Sequence, residues 1–295
     1  MPESGAEKNT PMDGNYNMNA FQPGHDPDDS NREKDYGNSC AFSSARRVDF
    51  MGVKVHDVDR QQLLQHVLFM SKEKQQRLVT YVNADCMLIA RKNLDYRRIL
   101  NLTDLVYPDG IGVVWGARLW GYSMAGRSTA ADFMPLFCRS FAEHGLRLFF
   151  LGAKPGVAEE AAQRLVAEIP DLKVVGTHHG YFGKEQQPEI IAQINKSEAD
   201  ILLVGFGAPL QEFWIHKHKD MLAPGLLWGV GGLFDFLSGR TPRGPRLLVD
   251  HGFEWLCRLA AEPGRLWQRY LVGNLMFIVL VLHGRIMRFF KNHVP

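Results

Sequence analysis

The segment "LRLFFLGAKPGVAEEAAQRLVAEIP", residues 146–170, decides the fold class of this chain. It opens with an almost unbroken apolar run, which is typical of a strand buried on both faces of a sheet. Gly152 and Gly156 then indicate a turn, and the alanine-rich part from Val157 onward has the apolar spacing of a helix. A buried strand, a glycine turn and a helix in this order form the first half of a βαβ unit.

Four further segments repeat this pattern. They are apolar runs that end in glycine or polar residues: "RLVTYVNAD" (77–85), "LVYPDG" (105–110), "DILLVGFGAPLQE" (200–212) and "GLLWGVGGLFDFLSG" (225–239). Helical patterns lie between them, and one of these, "CMLIARKNLDYRRILNLTD" (86–104), predicts a single amphipathic helix. The alternation predicts an α/β fold with a mostly parallel, Rossmann-like sheet flanked by helices.

One edge of this sheet is predicted to bind the ligand. In parallel sheets, ligands bind beyond the carboxyl ends of the strands. The residues that follow the predicted strands are therefore expected along a common edge: Asn83, Asp109, Gly152, Gly207–Gln211 and Gly231–Asp235.

Composition narrows the class of protein. Hydrophobic residues make up 45% of the 295 residues, an ordinary globular balance, and the net charge of +2 predicts no nucleic-acid partner. The four cysteines form no CxxC pair, so neither a zinc site nor a disulfide framework is expected, and a reduced cytoplasmic compartment fits best. We expect no secretory signal, because no charged segment followed by an apolar one opens the chain.

Three regions are expected along the chain. Residues 1–45 are rich in Asn, Asp, Pro and Gly, which predicts a disordered N-terminal tail. Residues 46–239 form the predicted α/β catalytic domain. Residues 240–295 form a basic helical appendage, with nine Lys or Arg residues and three acidic residues.

The appendage contains an apolar run of thirteen residues, from Tyr270 to Leu282. A membrane-spanning helix needs about twenty residues, so this run is too short to predict a span. Arginines border it on both sides, with Trp and Phe among them, which favours a helix that lies at the surface of an anionic membrane. A helix packed on the domain with a solvated basic face is the alternative.

Asp109 is the candidate catalytic base. A carboxylate beside a bound sugar nucleotide can accept the proton of an attacking hydroxyl group. In the tripeptide Pro-Asp-Gly alone, the same aspartate is more typical of a turn.

The glycine turns and nearby polar groups are candidates for binding the rest of a nucleotide. Backbone N–H groups at the Gly152 and Gly207 turns suit a phosphate, although such glycines also serve chain geometry alone. Arg127 suits bidentate phosphate binding, or lies on the surface. The amide of Gln211 suits a base or a sugar hydroxyl, and Glu212 suits the start of a helix.

Gly110 and Gly112 match the start of a dinucleotide-binding fingerprint. Trp115 occupies the position of the third glycine, which counts against an NAD-dependent oxidoreductase and leaves it as an alternative. A tight turn explains both glycines. Asp57 and Asp59 form a DxD pair just before a helical segment, which favours helix capping over metal binding, so no metal site is predicted.

Five linked motifs carry a resemblance to a known family. They are "YPDGIGVVW" (107–115), "LGAKPGVAEEAAQRL" (151–165), "NKSEADILLVGFGAPLQEFWI" (195–215), "GVGGLFDFLSGRTPRGPRL" (229–247) and "GFEWLCRLAAEPGRLWQRYL" (252–271). In these motifs, over about residues 48–290, the chain resembles the WecG/TagA/CpsF family of bacterial glycosyltransferases, glycosyltransferase family 26.

The resemblance implies an inverting enzyme that uses no metal and no cofactor. It implies sugar transfer from a UDP-sugar to a polyprenyl-pyrophosphate-linked saccharide, in exopolysaccharide or cell-surface polysaccharide synthesis. It also implies a peripheral location on the cytoplasmic face of the inner membrane. A non-catalytic membrane scaffold of a polysaccharide assembly complex is a further alternative.

The resemblance also assigns roles to residues. Asp109 becomes the base. Two arginines of the appendage, Arg258 and Arg265, are implied to close over the donor diphosphate. The residues implied to bind substrate are Asn83, Arg127, Gln211 and Asp235. Three positions depart from the family pattern: Tyr81, Ala130 and Gln268. The first and third point to a different sugar or acceptor.

Overall fold

The structure is a computed structural model that describes residues 45–241, 244–245, 248, 254–261 and 263–293. The described chain opens with an antiparallel hairpin of β1 (Arg47–Phe50) and β2 (Val53–His56). Six further strands follow: β3 (Arg77–Val82), β4 (Leu105–Pro108), β5 (Arg147–Gly152), β6 (Lys173–His178), β7 (Ile201–Gly205) and β8 (Leu226–Gly229). They form one sheet in the order β4-β3-β8-β7-β5-β6, and every neighbouring pair is parallel. The predicted α/β fold is confirmed.

Helices connect the strands and cover both faces of the sheet. They are α1 (Arg60–Met70), α2 (Ala84–Lys92), α3 (Leu94–Leu102), α4 (Ile111–Leu119), α5 (Ala130–Glu143), α6 (Val157–Glu168), α7 (Gln187–Lys196), α8 (Leu210–His218) and α9 (Leu233–Leu237). Two short 3-10 turns add to them, Lys184–Gln186 and Lys219–Met221.

The segment 86–104 is not the single helix that its apolar spacing predicts. Asn93 has φ −117° and ψ 107°, an extended conformation that ends α2. The Asn93 side-chain oxygen then accepts a hydrogen bond from the Tyr96 N–H at 2.9 Å and begins α3. Asparagine is among the best N-cap residues, so the break is encoded locally even though the same apolar spacing continues on both sides of it.

The core lies on both faces of the sheet because successive residues of a strand point to opposite sides. One cluster packs under α7 and α8 and contains the alternate strand residues Phe149, Leu151, Leu202 and Val204. The other packs under α5, α6 and α9 and contains Leu148, Phe150, Ile201 and Leu203. Phe150 stacks on Phe234 of α9 with ring centroids 5.0 Å apart. Each such buried side chain contributes roughly 1.5–3 kcal/mol to folding.

From Glu254 onward, the described part of the appendage is helical, and α12 (Gly273–His293) packs against the α/β unit. It comprises α10 (Glu254–Ala261), α11 (Pro263–Trp267), a π-helical turn (Gln268–Val272) and α12 (Gly273–His293). The helical segment Tyr270–Phe290 has 21 residues and is long and apolar enough to cross a membrane by length and composition. The prediction that this stretch is too short was wrong, because it counted only to Leu282 and the helix continues past His283.

Candidate active site

The carboxyl ends of five neighbouring strands meet at one edge of the sheet, from β4 through β3, β8 and β7 to β5. Neighbouring strands lie about 4.8 Å apart, so these exits span about 19 Å. The residues that the sequence places after these strands therefore lie along one edge of the molecule.

Asp109 follows the last residue of β4. Its backbone N–H donates to the carbonyl oxygen of Val82 at 2.9 Å, which extends the pairing of β3 and β4 by one residue and holds the Asp109 backbone. Gly110 has a φ of 89°, and a Cβ at this position would meet no atom within 4 Å. The turn therefore requires glycine for its conformation, and open space lies beside the residue that follows Asp109.

The charge of Asp109 also acts on the core beneath it. Burial raises the pKa of the Tyr107 hydroxyl, and the Asp109 carboxylate raises it further. The Tyr107 hydroxyl accepts a hydrogen bond from the Trp228 Nε1–H at 3.3 Å. Tyr107 therefore stays protonated at the end of β4.

Gly112 does not belong to the turn. It lies in α4, where a Cβ would be 3.6 Å from Phe277 of α12. One turn later, a Cβ on Gly116 would lie 2.7 Å from Phe50 and 3.2 Å from Val281. Gly116 is thus packed tightly between Phe50 and α12, whereas the spacing at Gly112 is that of an ordinary contact. This corrects the interpretation of Gly112 as part of a tight turn, and it removes the observation that suggested a dinucleotide site.

Asn83 and Arg127 lie near the ends of two neighbouring strands, β3 and β4. Asn83 follows β3, and its side-chain oxygen accepts the Cys86 N–H at 3.0 Å, so it is the N-cap of α2. Ser128 is fully buried, and its N–H donates to the Pro108 carbonyl at 2.9 Å, next to Asp109. Arg127, which is half-buried, is therefore held near the end of β4.

The two glycine turns differ in what surrounds them. Gly152 ends β5 with a φ of 148°, and a Cβ there would lie 2.5 Å from the carbonyl oxygen of Gly205 on β7. This close approach of two strands requires glycine with or without a ligand. Gly207 has a φ of 83°, and a Cβ there would meet nothing within 4 Å. Of the two turns, the one at Gly207 borders open space.

Gln211 and Glu212 are buried beneath the edge. Gln211 is fully buried, and its Oε1 accepts the Gly231 N–H at 2.8 Å. The Gln211 Nε2 donates to Glu212 Oε1 at 2.8 Å, and the Thr80 hydroxyl donates to the same oxygen at 2.7 Å. The amide of Gln211 therefore binds the backbone of the β8 exit, and Glu212 does more than begin α8.

The exit of β8 leads to Asp235 on α9 and to a cation that the sequence patterns did not single out. Asp235 is half-buried, and its carbonyl oxygen accepts the Thr241 N–H at 2.9 Å. Arg240 donates twice to the Glu160 carboxylate, at 2.8 and 2.6 Å, at the first turn of α6. Hydrogen bonding to Glu160 raises the pKa of Arg240, and the charge of Asp235 adds to this.

The remaining predicted residues lie partly outside what the structure describes. The side chains of Arg258 and Arg265 are outside the described residues, although their backbones belong to α10 and α11. Thr80 was missed by the sequence patterns, and its signal was a single hydroxyl residue within the apolar run of β3. Arg240 was missed as well, because nothing in its local sequence separates it from the other arginines of the appendage.

The DxD pair is engaged in contacts within the protein. Asp59 is the N-cap of α1, where its Oδ1 accepts the Gln62 N–H at 2.8 Å and its own N–H donates back to Gln62 Oε1 at 2.9 Å. Asp57 pairs with Arg46 at 3.1 Å. The capping interpretation is confirmed for Asp59. Within the described residues, no group of three or more His, Cys, Asp or Glu side chains is arranged to hold a metal ion.

Comparisons with known proteins show which family the sequence matches. The model of the family described as "Glycosyl transferase WecG/TagA/CpsF family" matches residues 48–290, which include all five strand exits and most of α12. An N-acetylglucosaminyldiphosphoundecaprenol N-acetyl-beta-D-mannosaminyltransferase from Bacillus spizizenii is 32% identical over 217 residues. That match covers 74% of this chain and 83% of the Bacillus protein.

Proposed function

We propose, on the premise that this chain belongs to the WecG/TagA/CpsF family of glycosyl transferases, that it moves a sugar from a UDP-sugar to a saccharide on a polyprenyl pyrophosphate. The name of the Bacillus relative describes an acceptor of this kind, an undecaprenol diphosphate that carries N-acetylglucosamine. The observation that carries the proposal is the position of Asp109, which follows β4 at the sheet edge and precedes a glycine beside open space.

Asp109 acts as the general base of a single displacement. It takes the proton of the acceptor hydroxyl while that oxygen attacks the anomeric carbon of the donor. The bond from this carbon to the diphosphate breaks on the opposite face, and UDP leaves with the bonding electrons. One displacement inverts the anomeric centre, so an α-linked donor gives a β-linked product. The β linkage in the name of the relative supports this stereochemistry.

The leaving UDP carries negative charge that the enzyme must stabilise. Arg127 is held near the end of β4, and the turn at Gly207 borders open space at the end of β7. Preorganised cations and backbone N–H groups stabilise such charge in a water-poor site. Asn83 and Asp235 suit the hydroxyl groups of the sugars, and the family pattern assigns Arg258 and Arg265 to the diphosphate. The reaction so described uses neither a cofactor nor a metal ion.

The appendage, residues 240–295, brings the site to the cytoplasmic face of the inner membrane. Phe277 and Val281 are buried against the α/β unit, and the Trp120 Nε1–H donates to the Val281 carbonyl at 2.9 Å. Contacts of this kind continue along α12 to Arg288, whose guanidinium donates to the Tyr122 hydroxyl at 2.9 Å. Because one face of the helix is docked along most of its length, a position parallel to the membrane surface fits better than a span.

The opposite face of α12 is apolar and exposed. At helical spacing it carries Leu275, Val279, Leu282, Ile286 and Phe290, each about half or more exposed. This face suits the acyl boundary of a bilayer, where the lipid-linked acceptor lies. The polymer served is an exopolysaccharide or another cell-surface polysaccharide.

Transfer assays test the proposal. The full chain is incubated with a panel of UDP-sugars and a polyprenyl-pyrophosphate-linked N-acetylglucosamine, and products are followed by mass spectrometry. One UDP-sugar is expected to give a lipid-linked disaccharide and free UDP, in the presence of EDTA, with an inverted anomeric centre by NMR. No product from any UDP-sugar, or retention of configuration, would count against the proposed function or its mechanism respectively.

A further inference from the structure

A buried series of hydrogen bonds links β3 to the segments that follow β7 and β8. It starts at the Thr80 hydroxyl of β3, which donates to Glu212 Oε1 at 2.7 Å. The same Glu212 oxygen accepts the Gln211 Nε2–H at 2.8 Å, and Gln211 Oε1 accepts the Gly231 N–H at 2.8 Å. The series therefore runs from β3 through the start of α8 to the loop that follows β8.

Every side chain in this series is withdrawn from solvent. Thr80, Gln211 and Glu212 are 2%, 0% and 3% exposed. Such groups do not contact a ligand, so their role is exerted through the last member, a backbone N–H at the sheet edge. Glu212 Oε2 is buried and has no hydrogen-bond partner within the protein, which leaves all the hydrogen bonding of the carboxyl group on Oε1.

The end of β8 and the loop that follows it are tightly packed. A Cβ on Gly229 would lie 2.8 Å from Gln211 Nε2 and 3.0 Å from the Thr80 hydroxyl. Gly231 has a φ of 60°, and a Cβ there would lie 2.3 Å from the Tyr81 hydroxyl. The loop is thus packed directly against this series of hydrogen bonds on one side and against Tyr81 on the other.

We infer that Glu212 is a positioning residue of the transferase site, which holds the Gly229–Gly232 loop, and with it Asp235, in place through Gln211. The inference rests on the proposed function for its consequence in catalysis, because Asp235 is there a substrate-binding residue. The Glu212 Oε1 atom is the group that matters, because it accepts a hydrogen bond from Gln211 Nε2. This bond orients the Gln211 amide so that Gln211 Oε1 faces the Gly231 N–H.

The protonation of Glu212 identifies the conservative variant. Burial raises the pKa of the Glu212 carboxyl group, and hydrogen bonds from Thr80 and Gln211 oppose this. A glutamine keeps the acceptor oxygen and the shape of the side chain without a charge. Glu212→Gln is therefore expected to keep the loop in place, whereas Glu212→Leu removes the acceptor at similar volume.

The test compares these two variants with a threonine pair. Thr80→Val removes a hydrogen-bond donor from this series. Thr103→Val is its control: it removes the hydroxyl of another buried threonine, which donates to the Ile99 carbonyl at 2.9 Å and does not belong to the series. Loss of the Glu212 oxygen that binds Gln211 is expected to raise the KM for the UDP-sugar about five- to thirty-fold in Glu212→Leu, with little change in kcat. Thr80→Val is expected to raise it less, and Glu212→Gln and Thr103→Val to stay within about two-fold of the parent chain.

Hydrogen exchange reads the loop without any substrate. In Glu212→Leu the amides of residues 229–237 are expected to exchange faster, and in Thr103→Val they are expected to be unchanged. Equal exchange in these two variants would overturn the inference even if transfer is observed. A failed transfer assay in the parent chain, with faster exchange confined to Glu212→Leu and Thr80→Val, would instead reject the proposed function and keep the positioning role. Equal losses in Glu212→Gln and Glu212→Leu would also overturn it, because the acceptor oxygen would then not be the cause.

Discussion

At the scale of single residues, the motif "YPDG" illustrates how a turn and a reactive group coincide. Gly110 is required because its φ is 89°, and this conformation turns the chain away from β4 so that Asp109 remains at the end of the strand. The turn interpretation and the catalytic interpretation of Asp109 are therefore compatible. The backbone explains the glycine, and the proposed reaction gives the carboxylate at this position a use beyond the turn.

Asp109→Asn is expected to lower kcat about 10²- to 10⁴-fold with little change in the KM for the UDP-sugar. The amide cannot take the proton from the attacking hydroxyl group of the acceptor saccharide. Turnover of the purified variant with saturating donor measures this. Asp171→Asn, a change at an exposed aspartate after α6, is the matched control and should be fully active. Thermal unfolding of both variants should match the parent chain, and an active Asp109→Asn enzyme would remove Asp109 as the base.

His56 supplies a pH dependence of stability that is independent of the site. Burial, and then the charge of Arg47, lower its pKa from 6.5 to about 3. Arg47 Nε donates to the His56 Nε2 at 2.8 Å, which leaves no place for a second proton on that nitrogen. The unfolded chain binds this proton below pH 6.5 and the folded chain does not, so stability contributed by neutral His56 is lost as pH falls from about 6.5 towards 3.

Replacing His56 should therefore flatten the acid limb of the stability curve. His56→Gln is expected to be less stable at pH 7, yet its free energy of unfolding should fall less steeply between pH 6.5 and 4. The difference in slope is up to about 1.4 kcal/mol per pH unit. Urea unfolding across this range measures it, with exposed His144→Gln as the control. Identical slopes in parent and His56→Gln would mean that the ring is not held neutral.

At the scale of elements, α4 shows what a local pattern cannot reveal. Gly112 and Gly116 lie one turn apart on the face that meets α12, and Trp115 is 56% exposed on the neighbouring stripe of the helix. The contact partners, Phe277 and Val281, are more than 160 residues later in the chain. Short-range spacing therefore suggested a nucleotide turn, whereas the tight packing at Gly116, against Phe50 of β1 and Val281 of α12, depends on residues that are distant in the sequence.

The elements themselves follow from the sequence because their causes are local. Apolar runs, glycine turns and helical spacing predicted the strands, and the parallel order follows from the helices between them. The series of hydrogen bonds from Thr80 to Gly231 was not predictable, because it links β3, α8 and the segment after β8, which are far apart in the sequence. The end of α12 was missed for a different reason, since His283 interrupts the apolar run without interrupting the helix.

The packing of α12 on Trp120 gives a prediction with a control in the same helix. A Cβ on Gly284 would lie 2.2 Å from the Trp120 ring, whereas a Cβ on Gly273 would lie 3.7 Å from Leu88, an ordinary contact. Both Gly→Ala changes gain about 1 kcal/mol of helix propensity, but overpacking at Gly284 costs about 1–3 kcal/mol. Gly273→Ala should raise the melting temperature and Gly284→Ala should lower it.

Limited proteolysis of the same two variants tests whether the lost stability is located at the docked helix. Cleavage within α12 is expected to be faster in Gly284→Ala and unchanged or slower in Gly273→Ala. Equal melting temperatures and equal cleavage rates would show that α12 does not pack on Trp120 in solution.

At the scale of the whole molecule, α12 has two faces with different environments. One face is buried on the α/β unit, and the opposite one exposes a continuous apolar stripe. Because α12 is docked on the α/β unit, the sheet edge lies at a fixed distance from the surface that the apolar stripe contacts. In the proposed transferase, this arrangement holds the candidate base Asp109 and the apolar stripe in one packed unit.

The exposed stripe is therefore expected to bind vesicles, and polar changes in it should abolish binding without unfolding the protein. The double variant Val279→Asp/Leu282→Asp removes apolar contacts at two positions that are 55% and 48% exposed. Flotation with vesicles of phosphatidylethanolamine and phosphatidylglycerol measures binding. The parent chain should float and the variant should remain at the bottom of the gradient, because charged groups are costly at the acyl boundary.

A matched change away from α12 separates this effect from a general loss of surface hydrophobicity. Leu94→Asp replaces a side chain that is 64% exposed at the start of α3 and should leave flotation unchanged. The double variant should retain transfer to a short, water-soluble analogue of the acceptor, because Asp109 and the strand exits are unchanged. Its transfer to the vesicle-bound acceptor should fall. Full flotation of the double variant would mean that the membrane is reached through another surface, and loss of activity on both acceptors would mean that α12 supports the site itself rather than its location.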